Sequence, residues 1–270
     1  MQEIIGQWDM FQGKDKFKIT KPIRLMTLFS GYDSQSLSLK YLNAQFEHYR
    51  TCEWAVKSII ALKDMHFASD TNDYSKDLSK DEILEYLFNK HISMDYSKPM
   101  TKDQIKRLGE EKQREIYNSI IASHNLVDVS QAKGEDFGIV DTDKYCYVLT
   151  YSYPCQDLSL AGKQKGMEKD SGTRSALLWE VDRILDELNN KGKDHLPQVL
   201  LMENVPQAIG QGNMKEFSKW LHRLEDLGYT NCYRILNATE YGVPQNRERC
   251  FMVSILGSWH YDFPMPYKLN

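Results

Sequence analysis

A buried strand that stops at a proline sets the architecture of this chain. Residues 145–153 are mostly aromatic, β-branched or apolar, which is typical of a central strand, and Pro154 cannot donate to a sheet ladder. Cys155 follows, at the start of a loop rich in Gly, Ser, Gln and Lys. Open α/β sheets place their chemistry at the carboxyl ends of strands, so Cys155 occupies a nucleophile's position. The alternative is a structural cysteine, because free cysteines often act as small buried hydrophobes.

Three stretches of the sequence together resemble the cytosine-C5 DNA methyltransferase family. The first resembles the family's nucleophile loop, and its matching positions are Pro154, Cys155, Gln156, Asp157, Ser159, Ala161, Gly162, Lys163 and Gly166. The second is LMENVP at Leu201–Pro206, and the third is the Gln-x-Arg-x-Arg pattern of Gln245, Arg247 and Arg249. The three occur in the family's order, which makes the resemblance very specific.

The resemblance implies a class I S-adenosylmethionine-dependent methyltransferase fold. This is a Rossmann-like α/β architecture with a mixed, mostly parallel seven-stranded sheet flanked by helices. We predict an N-terminal arm over 1–22, a catalytic domain over 23–258 with a helical insertion at 67–123, and a tail over 259–270 where a target-recognition region would begin.

Composition limits the classes of function. The formal net charge is −4 and the isoelectric point is near 6.0, whereas nucleic-acid-binding domains usually carry a basic surplus. The five cysteines form no CxxC pair and no metal-ligand spacing, so we predict neither disulfides nor a metal site. No signal-like N-terminus and no long apolar run is present. We therefore expect a soluble intracellular protein, and the resemblance implies a cytoplasmic enzyme that is prokaryotic or phage-encoded.

A strand over Ile23–Phe29 and a turn over Ser30–Ser34 lead into a helix that is predicted to run to about Tyr49. A tight turn of small residues between a strand and a helix cradles nucleotide-like ligands with its backbone N–H groups. The turn resembles the family's cofactor motif, which implies contacts from Phe29, Ser30, Gly31, Tyr32 and Asp33. An ordinary βα turn is the alternative.

Asp33 stands where the family has its second glycine. We expect this residue to add a side chain and a negative charge close to the carboxypropyl and amino groups of S-adenosylmethionine. The affinity for the cofactor would then be altered or lost.

Further cofactor contacts follow from the resemblance. An acidic residue at the end of the second strand accepts hydrogen bonds from ribose hydroxyls, and Glu53 with the adjacent Trp54 fits that role. A helix cap is the alternative for Glu53. A third strand is predicted over His124–Val129. The remaining contacts implied by the resemblance are Asp128, Val129, Pro154 and Leu177; a strand-ending Asp and a plain core Leu are the alternatives for Asp128 and Leu177.

The segment from Phe67 to about Ser123 is an insertion of two or three helices, because the family's spacing between Glu53 and Asp128 is much shorter. Its basic residues could contact DNA, form a solvated face or bind a partner; they are Lys98, Lys102, Lys106, Arg107, Lys112 and Arg114. Acidic residues alternate with them, so we favour a partner-binding or structural role.

The resemblance also implies the chemistry. Cys155 would add to C6 of a cytosine flipped out of the duplex, Glu203 would protonate N3 and Arg247 would hold O2, with Arg249 on a phosphate or a loop carbonyl. The activated C5 would then take the methyl group of S-adenosylmethionine. The surrounding loops are predicted to use Gln156, Ser159, Asn204 and Gln245. A salt-bridging structural role is the alternative for Glu203.

The sequence contains no match to the family's target-recognition region or to its pocket-closing Gly-Asn-Ser motif. We therefore expect the catalytic subunit of a split DNA (cytosine-5-)-methyltransferase, of a restriction-modification or phage system, with a second polypeptide and double-stranded DNA as partners. The alternatives are a truncated product, a catalytically silent regulatory relative, and a tRNA cytosine-C5 methyltransferase.

Overall fold

A computed structural model describes residues 17–153 and 177–266 of the chain. It divides into two compact units. One is Ile23–Gly138, called here the N-terminal unit. The other combines the described part of Met1–Pro22 with that of Ile139–Asn270, and is called the C-terminal unit.

The N-terminal unit begins with two parallel strands. Strand β1 (Ile23–Leu28) pairs with β2 (Phe46–Cys52), with Ile23 opposite Phe46 and Leu28 opposite Cys52. Helix α1 (Ser34–Tyr41) joins them, and α2 (Val56–His66) follows β2. Strand β1 is apolar and almost wholly buried, which is the pattern of a strand that is covered on both faces.

The insertion folds as three helices. They are α3 (Lys80–Asn89), α4 (Lys102–Lys106) and α5 (Glu110–Ala122). Capping boxes start α3 and α4, with Ser79 and Glu82 exchanging hydrogen bonds at one and Thr101 and Gln104 at the other. The prediction of two or three helices is confirmed.

The insertion helices share one hydrophobic core with α2. The residues of this core are Val56, Ile59, Ile83, Leu84, Leu87, Ile92, Met100, Ile105, Ile116, Ile120 and Val127. Because α2 follows β2 directly, the insertion is part of the packing that supports the first β-α-β segment. It is not an appended module.

Two predicted elements of the N-terminal unit are wrong. The helix expected to reach Tyr49 ends at Tyr41, because Asn43 takes a left-handed conformation (φ 50°) that stops it and lets β2 begin at Phe46. The third strand, expected over His124–Val129, is reduced to one bridge between Thr51 and Asn125. Left-handed backbone at His124 and Val127 (φ 49° and 71°) breaks the extended conformation on both sides of that bridge.

The C-terminal unit holds four strands and two α-helices within its described residues. In chain order they are β3 (Cys146–Tyr151), α6 (Leu178–Asn189), β4 (Val199–Asn204), α7 (Met214–Asp226), β5 (Tyr229–Asn237) and β6 (Glu248–Leu256). Strand β4 pairs in parallel with β3 and antiparallel with β6, which in turn pairs antiparallel with β5. The strand predicted over residues 145–153 is confirmed, with β3 two residues shorter at its carboxyl end.

The core of this unit is aromatic. Trp220 of α7 is completely buried and its Nε1 donates to the hydroxyl of Tyr151 at 3.1 Å. Helix α6 buries Leu178, Val181, Ile184, Leu185 and Leu188, spaced as one face of a helix. These contacts fix the helices against the strands whose ends carry the predicted catalytic residues.

The class I methyltransferase architecture is confirmed, with six strands among the described residues where seven were expected. The missing strand is His124–Val129. No helix in residues 17–153 and 177–266 is long and apolar enough to cross a membrane. Across the same residues, no cluster of three or more His, Cys, Asp or Glu side chains could hold a metal ion.

Candidate cofactor and catalytic sites

The turn after β1 leaves open space above Gly31. This glycine has φ 54°, and a Cβ at its position would meet no atom within 4 Å. Ser30 is buried and its hydroxyl donates to the carbonyl of Thr27 at 2.8 Å, while Nε2 of His66 donates to the carbonyl of Tyr32 at 2.8 Å. The loop is therefore held from two sides around an open cradle, as a cofactor loop requires.

Glu53 joins this loop to the start of α2. Its Oε2 accepts from the N–H of Gly31 at 2.9 Å and its Oε1 from the N–H of Ala55 at 2.7 Å. A carboxylate has about four lone-pair sites, so each oxygen keeps capacity for a further donor. Burial raises the pKa of Glu53 from its ordinary 4.5, although the backbone N–H groups that bond it act in the opposite direction. These residues fit the ribose of an adenosyl cofactor.

Asp33 is a buried residue of the turn that precedes α1. Its backbone is left-handed (φ 52°), its side chain is completely buried, and its Oδ2 lies 3.1 Å from Nδ1 of His48 in β2. The two side chains are at ion-pair distance without the angle of a hydrogen bond, since neither has a hydrogen-bond partner among the described residues. The Asp33 carboxylate is therefore buried against His48 of β2, and its expected closeness to the carboxypropyl and amino groups of the cofactor stays a prediction.

Asp128 receives contacts on both carboxylate oxygens. Its Oδ1 accepts from the N–H and the hydroxyl of Ser130, at 3.0 and 2.8 Å, and its Oδ2 lies 3.0 Å from Nδ1 of His91. Asp128 is 9% exposed, so its edge reaches solvent. Val129 beside it is buried, and Trp54 is half-buried against the core shared with the insertion.

The other predicted cofactor residues differ in exposure. Phe29 is half-buried with left-handed backbone (φ 56°), and Tyr32 is 58% exposed. Leu177 belongs to the C-terminal unit, where it immediately precedes α6. Pro154 lies outside the described residues.

The C-terminal unit brings three predicted catalytic residues together. Nε of Arg249 lies 2.9 Å from Oε1 of Glu203, and Nη2 of Arg247 lies 3.8 Å from the same oxygen. Pairing of β4 with β6 creates this contact, because Glu203 stands opposite Phe251 and Asn204 opposite Cys250. An antiparallel pair thus sets a carboxylate against two guanidinium groups at the end of β4.

The neighbouring predicted loop residues have structural contacts or are exposed. Asn204 is buried; its Nδ2 donates to the carbonyl of Tyr153 at 3.1 Å and its Oδ1 accepts from the N–H of Val205 at 2.8 Å. Asn204 therefore joins the residues that follow β3 to those that follow β4. Gln245 is exposed and its N–H donates to the carbonyl of Val243. Cys155, Gln156 and Ser159 lie outside the described residues.

The remaining cysteines are poor nucleophiles. Cys52, Cys146, Cys232 and Cys250 are free thiols. Burial raises the pKa of each: well above the ordinary value for Cys52, to about 11 for Cys146 and Cys232, and to about 12 for Cys250, where Glu203 adds to the effect. A thiolate is the reactive form, so none of these four suits nucleophilic attack at neutral pH.

Sequence reasoning missed three residues near the cofactor loop. His48 faces Asp33, His91 contacts Asp128, and Tyr96 bonds Ser58 of α2. No pattern in the sequence of β2 singles out His48. His91 and Tyr96 lie in the insertion, where spacing along the chain gives no indication of which residues return to α2.

The fold and these two clusters define a class I methyltransferase. In fold, the chain is similar to the crystal structure of the S. pombe Dnmt2 methyltransferase, with a TM-score of 0.53 and 16% identity over 89% of this chain and 50% of that one. The model of the family "C-5 cytosine-specific DNA methylase" matches residues 97–268. The chain belongs to this family.

Two relatives extend the match over most of the chain. It is 38% identical over 245 residues to the orphan methyltransferase M.SssI of Spiroplasma monobiae, covering 89% of this chain and 61% of the relative. It is 36% identical over 250 residues to the type II methyltransferase M2.ScrFI of Lactococcus lactis subsp. cremoris, covering 92% of this chain and 65% of the relative. The chain thus spans less than two thirds of the length of either.

Proposed function

We propose that this protein transfers a methyl group from S-adenosylmethionine to C5 of a cytosine in double-stranded DNA. The observation that carries the proposal is the Glu203–Arg249–Arg247 cluster, in a chain that also contains the Pro154–Cys155–Gln156 loop sequence. Membership of the family and the names of its relatives, a type II methyltransferase among them, support the same activity.

The chemistry assigns a role to each residue. The Cys155 thiolate adds to C6, and Glu203 gives a proton to N3 so that the ring does not accumulate negative charge. Arg247 donates to O2, and Arg249 holds the Glu203 carboxylate in place. The resulting electron-rich C5 would take the methyl group as N3 returns its proton to Glu203. Removal of the C5 proton by a base would then expel the Cys155 thiolate as the C5–C6 double bond re-forms.

Bound S-adenosylmethionine supplies an electrophilic methyl group on its sulfonium. In the N-terminal unit, Gly31 provides the open cradle, Glu53 the acceptor for ribose hydroxyls, and Asp128 the acceptor for the adenine amino group. The target base must leave the duplex stack before any of these steps, at a cost of about a few kcal/mol.

Trapping of the covalent adduct tests the proposal. Duplex DNA that carries 5-fluorocytosine is incubated with S-adenosylmethionine and the chain, because fluorine at C5 cannot leave as a proton does and the Cys155–C6 bond persists. We expect a denaturation-resistant complex with the wild type and with Cys250→Ser, and none with Cys155→Ser.

Assays with two substrates distinguish this proposal from the alternative functions. Methyl transfer is measured on DNA and on tRNA, with the chain alone and with the product of the adjacent gene. Transfer to DNA only when the product of the adjacent gene is present would show that a second polypeptide is needed. Transfer to tRNA alone would replace the proposed substrate, and transfer to neither in any arrangement would favour a silent relative.

A further inference from the structure

The insertion returns to the cofactor loop through its segment 91–98. The N–H of Ser93 donates to the carbonyl of Trp54 at 2.7 Å, and the N–H of Val56 donates to the carbonyl of Ser93 at 2.8 Å. These bonds make a parallel bridge between Ser93 and Ala55. The segment is thereby fixed to the residues that directly follow Glu53.

Both ends of the segment are anchored. Ile92 is completely buried in the core that the insertion shares with α2, and its carbonyl accepts from the N–H of Met100 at 2.8 Å. The hydroxyl of Ser93 donates to the carbonyl of Lys98 at 2.8 Å, and Asp95 accepts from the N–H and the hydroxyl of Ser97. The tip that carries Met94, Asp95 and Tyr96 is therefore a compact turn on a fixed base.

Two non-glycine residues of this segment hold left-handed backbone, His91 at φ 57° and Tyr96 at φ 60°. Such conformations cost energy and persist only where the surroundings require them, often at binding sites. At His91 the conformation accompanies the 3.0 Å contact with Asp128. At Tyr96 it accompanies the hydrogen bond between the phenol and the hydroxyl of Ser58 in α2.

Tyr96 contacts the first turn of α2, the helix that follows Glu53. Its phenol bonds Ser58 there, while 45% of the residue remains exposed. Burial raises the pKa of Tyr96 and its bond to Ser58 lowers it, while the charges of Glu53 and Tyr32 raise it further. Tyr32 and Met94 are also exposed, at 58% and 42%. The cofactor turn and segment 91–98 thus both carry exposed aromatic or apolar side chains.

A DNA-binding role suits this part of the insertion less well, because several of its basic side chains already have partners. Lys102 pairs with Glu85 at 2.5 Å and Lys112 with Glu115 at 2.6 Å. Arg114 pairs with Glu110 and also donates to the carbonyls of Ser75 and Leu78. Segment 91–98 instead exposes Met94 and Tyr96, and an adenosyl group prefers apolar and aromatic contacts of this kind.

We propose, resting on the cofactor assignment above, that Tyr96 and His91 form an additional wall of the S-adenosylmethionine site. Tyr96 contacts the adenosyl group through the face of its ring. His91 is a positioning residue, which holds Oδ2 of Asp128 so that this carboxylate meets the adenine amino group in one orientation. Two residues of the insertion thus form part of the cofactor site.

Calorimetric titration of S-adenosylhomocysteine, which needs no catalysis, tests the proposal. Because both residues are left-handed, Tyr96→Gly and His91→Gly remove the side chains without backbone strain. We expect each to weaken binding about tenfold, the scale of a lost aromatic contact or hydrogen bond. Tyr96→Phe keeps the ring and should bind almost as the wild type does, and His91→Asn, which keeps a donor near Nδ1, should restore most of the affinity.

The matched control is His124→Gly, which replaces another exposed, left-handed histidine of the same unit. It should leave affinity unchanged. A second readout is hydrogen exchange, which S-adenosylhomocysteine should slow at the amides of residues 94–98. Wild-type affinity in Tyr96→Gly and His91→Gly would overturn this inference alone, whereas no binding by the wild type would overturn the cofactor assignment itself.

Discussion

Nε of Arg249 lies 2.9 Å from Oε1 of Glu203. Arg247 approaches the same oxygen, and no residue that the structure describes bonds Oε2. One oxygen of the carboxylate is therefore fixed while the other remains for a substrate. A carboxyl group held in this way can present a proton to a ring nitrogen in a defined direction.

Replacement of Glu203 by glutamine tests its role as an acid. Glutamine keeps an acceptor for Arg249 but has no proton to give at N3. We expect kcat for methyl transfer to fall by about 10²- to 10⁴-fold, the usual contribution of general acid catalysis. Affinity for S-adenosylhomocysteine should stay unchanged, because Glu203 is not among its proposed ligands. Wild-type turnover in Glu203→Gln would remove this residue from the mechanism.

The two arginines should respond differently to truncation. Arg249 is the closer and the less exposed partner of Glu203, whereas the Arg247 side chain is 48% exposed. We expect Arg249→Ala to lower the free energy of unfolding by at most about 1 kcal/mol and Arg247→Ala by less than about 0.5 kcal/mol, measured in urea. Arg247→Ala should nevertheless lose methyl transfer, since it removes the proposed donor to cytosine O2. Equal effects of both variants on stability and on transfer would contradict this division.

Binding of the cofactor should depend on pH through Glu53. Burial raises the pKa of this carboxyl above its ordinary 4.5. Between 4.5 and the raised value, Glu53 is therefore mostly protonated in the folded chain and mostly ionised in the unfolded chain. Its contribution to stability is therefore fully present below 4.5 and is lost as pH rises through the raised value. The proton also removes acceptor capacity for the ribose, so affinity for S-adenosylhomocysteine should fall as pH drops through that value.

Calorimetry across this pH range with wild type and Glu53→Gln checks the prediction. The variant should bind weakly at every pH, without the titration step. Glu85→Gln, at an exposed carboxylate of the insertion, should behave as the wild type does. A step of the same size in Glu53→Gln would assign the pH dependence to another group.

Asp33 should be required for stability and not for cofactor binding. Its left-handed backbone suits Asp, Asn or Gly, whereas alanine there costs about 1–2 kcal/mol. We expect urea unfolding to rank Asp33→Ala below Asp33→Gly and Asp33→Asn, and Asp33→Asn to bind S-adenosylhomocysteine as the wild type does, because the side chain is buried against His48. Asn43→Gly, at another left-handed residue, should not destabilise. A large loss of affinity in Asp33→Asn would show that this carboxylate lies close to the cofactor.

The sequence predicted those elements whose patterns are local. Strands β1 and β3 follow from continuous, mostly apolar runs, whereas Glu203 and the two arginines follow from the resemblance to the family. The failed third strand had a suitable composition, but the Asn125 side chain bonds the N–H and the carbonyl of Glu53 and also the N–H of Val127. These side-chain bonds replace a strand ladder, and Val127 takes a left-handed conformation that its β-branched side chain normally disfavours.

Contacts that depend on the insertion were beyond sequence reasoning. The pairs His91–Asp128 and Tyr96–Ser58 join residues 37 and 38 positions apart, through helices whose packing the chain alone does not disclose. Polar composition favoured a partner-binding or structural role for the insertion. The shared core with α2 supports the structural part of that expectation.

Truncation of Ile116 tests whether the insertion and α2 form one cooperative body. Ile116 of α5 is completely buried in their shared core, so Ile116→Ala should cost about 2–5 kcal/mol of unfolding free energy. Lys112→Ala, on an exposed turn of the same helix, should stay within about 0.5 kcal/mol of the wild type. Hydrogen exchange should show faster opening in α2 as well as in α3 and α5 of Ile116→Ala, and weaker binding of S-adenosylhomocysteine. Faster exchange confined to residues 80–122, with α2 and the affinity unchanged, would show that the insertion opens independently of the cofactor loop.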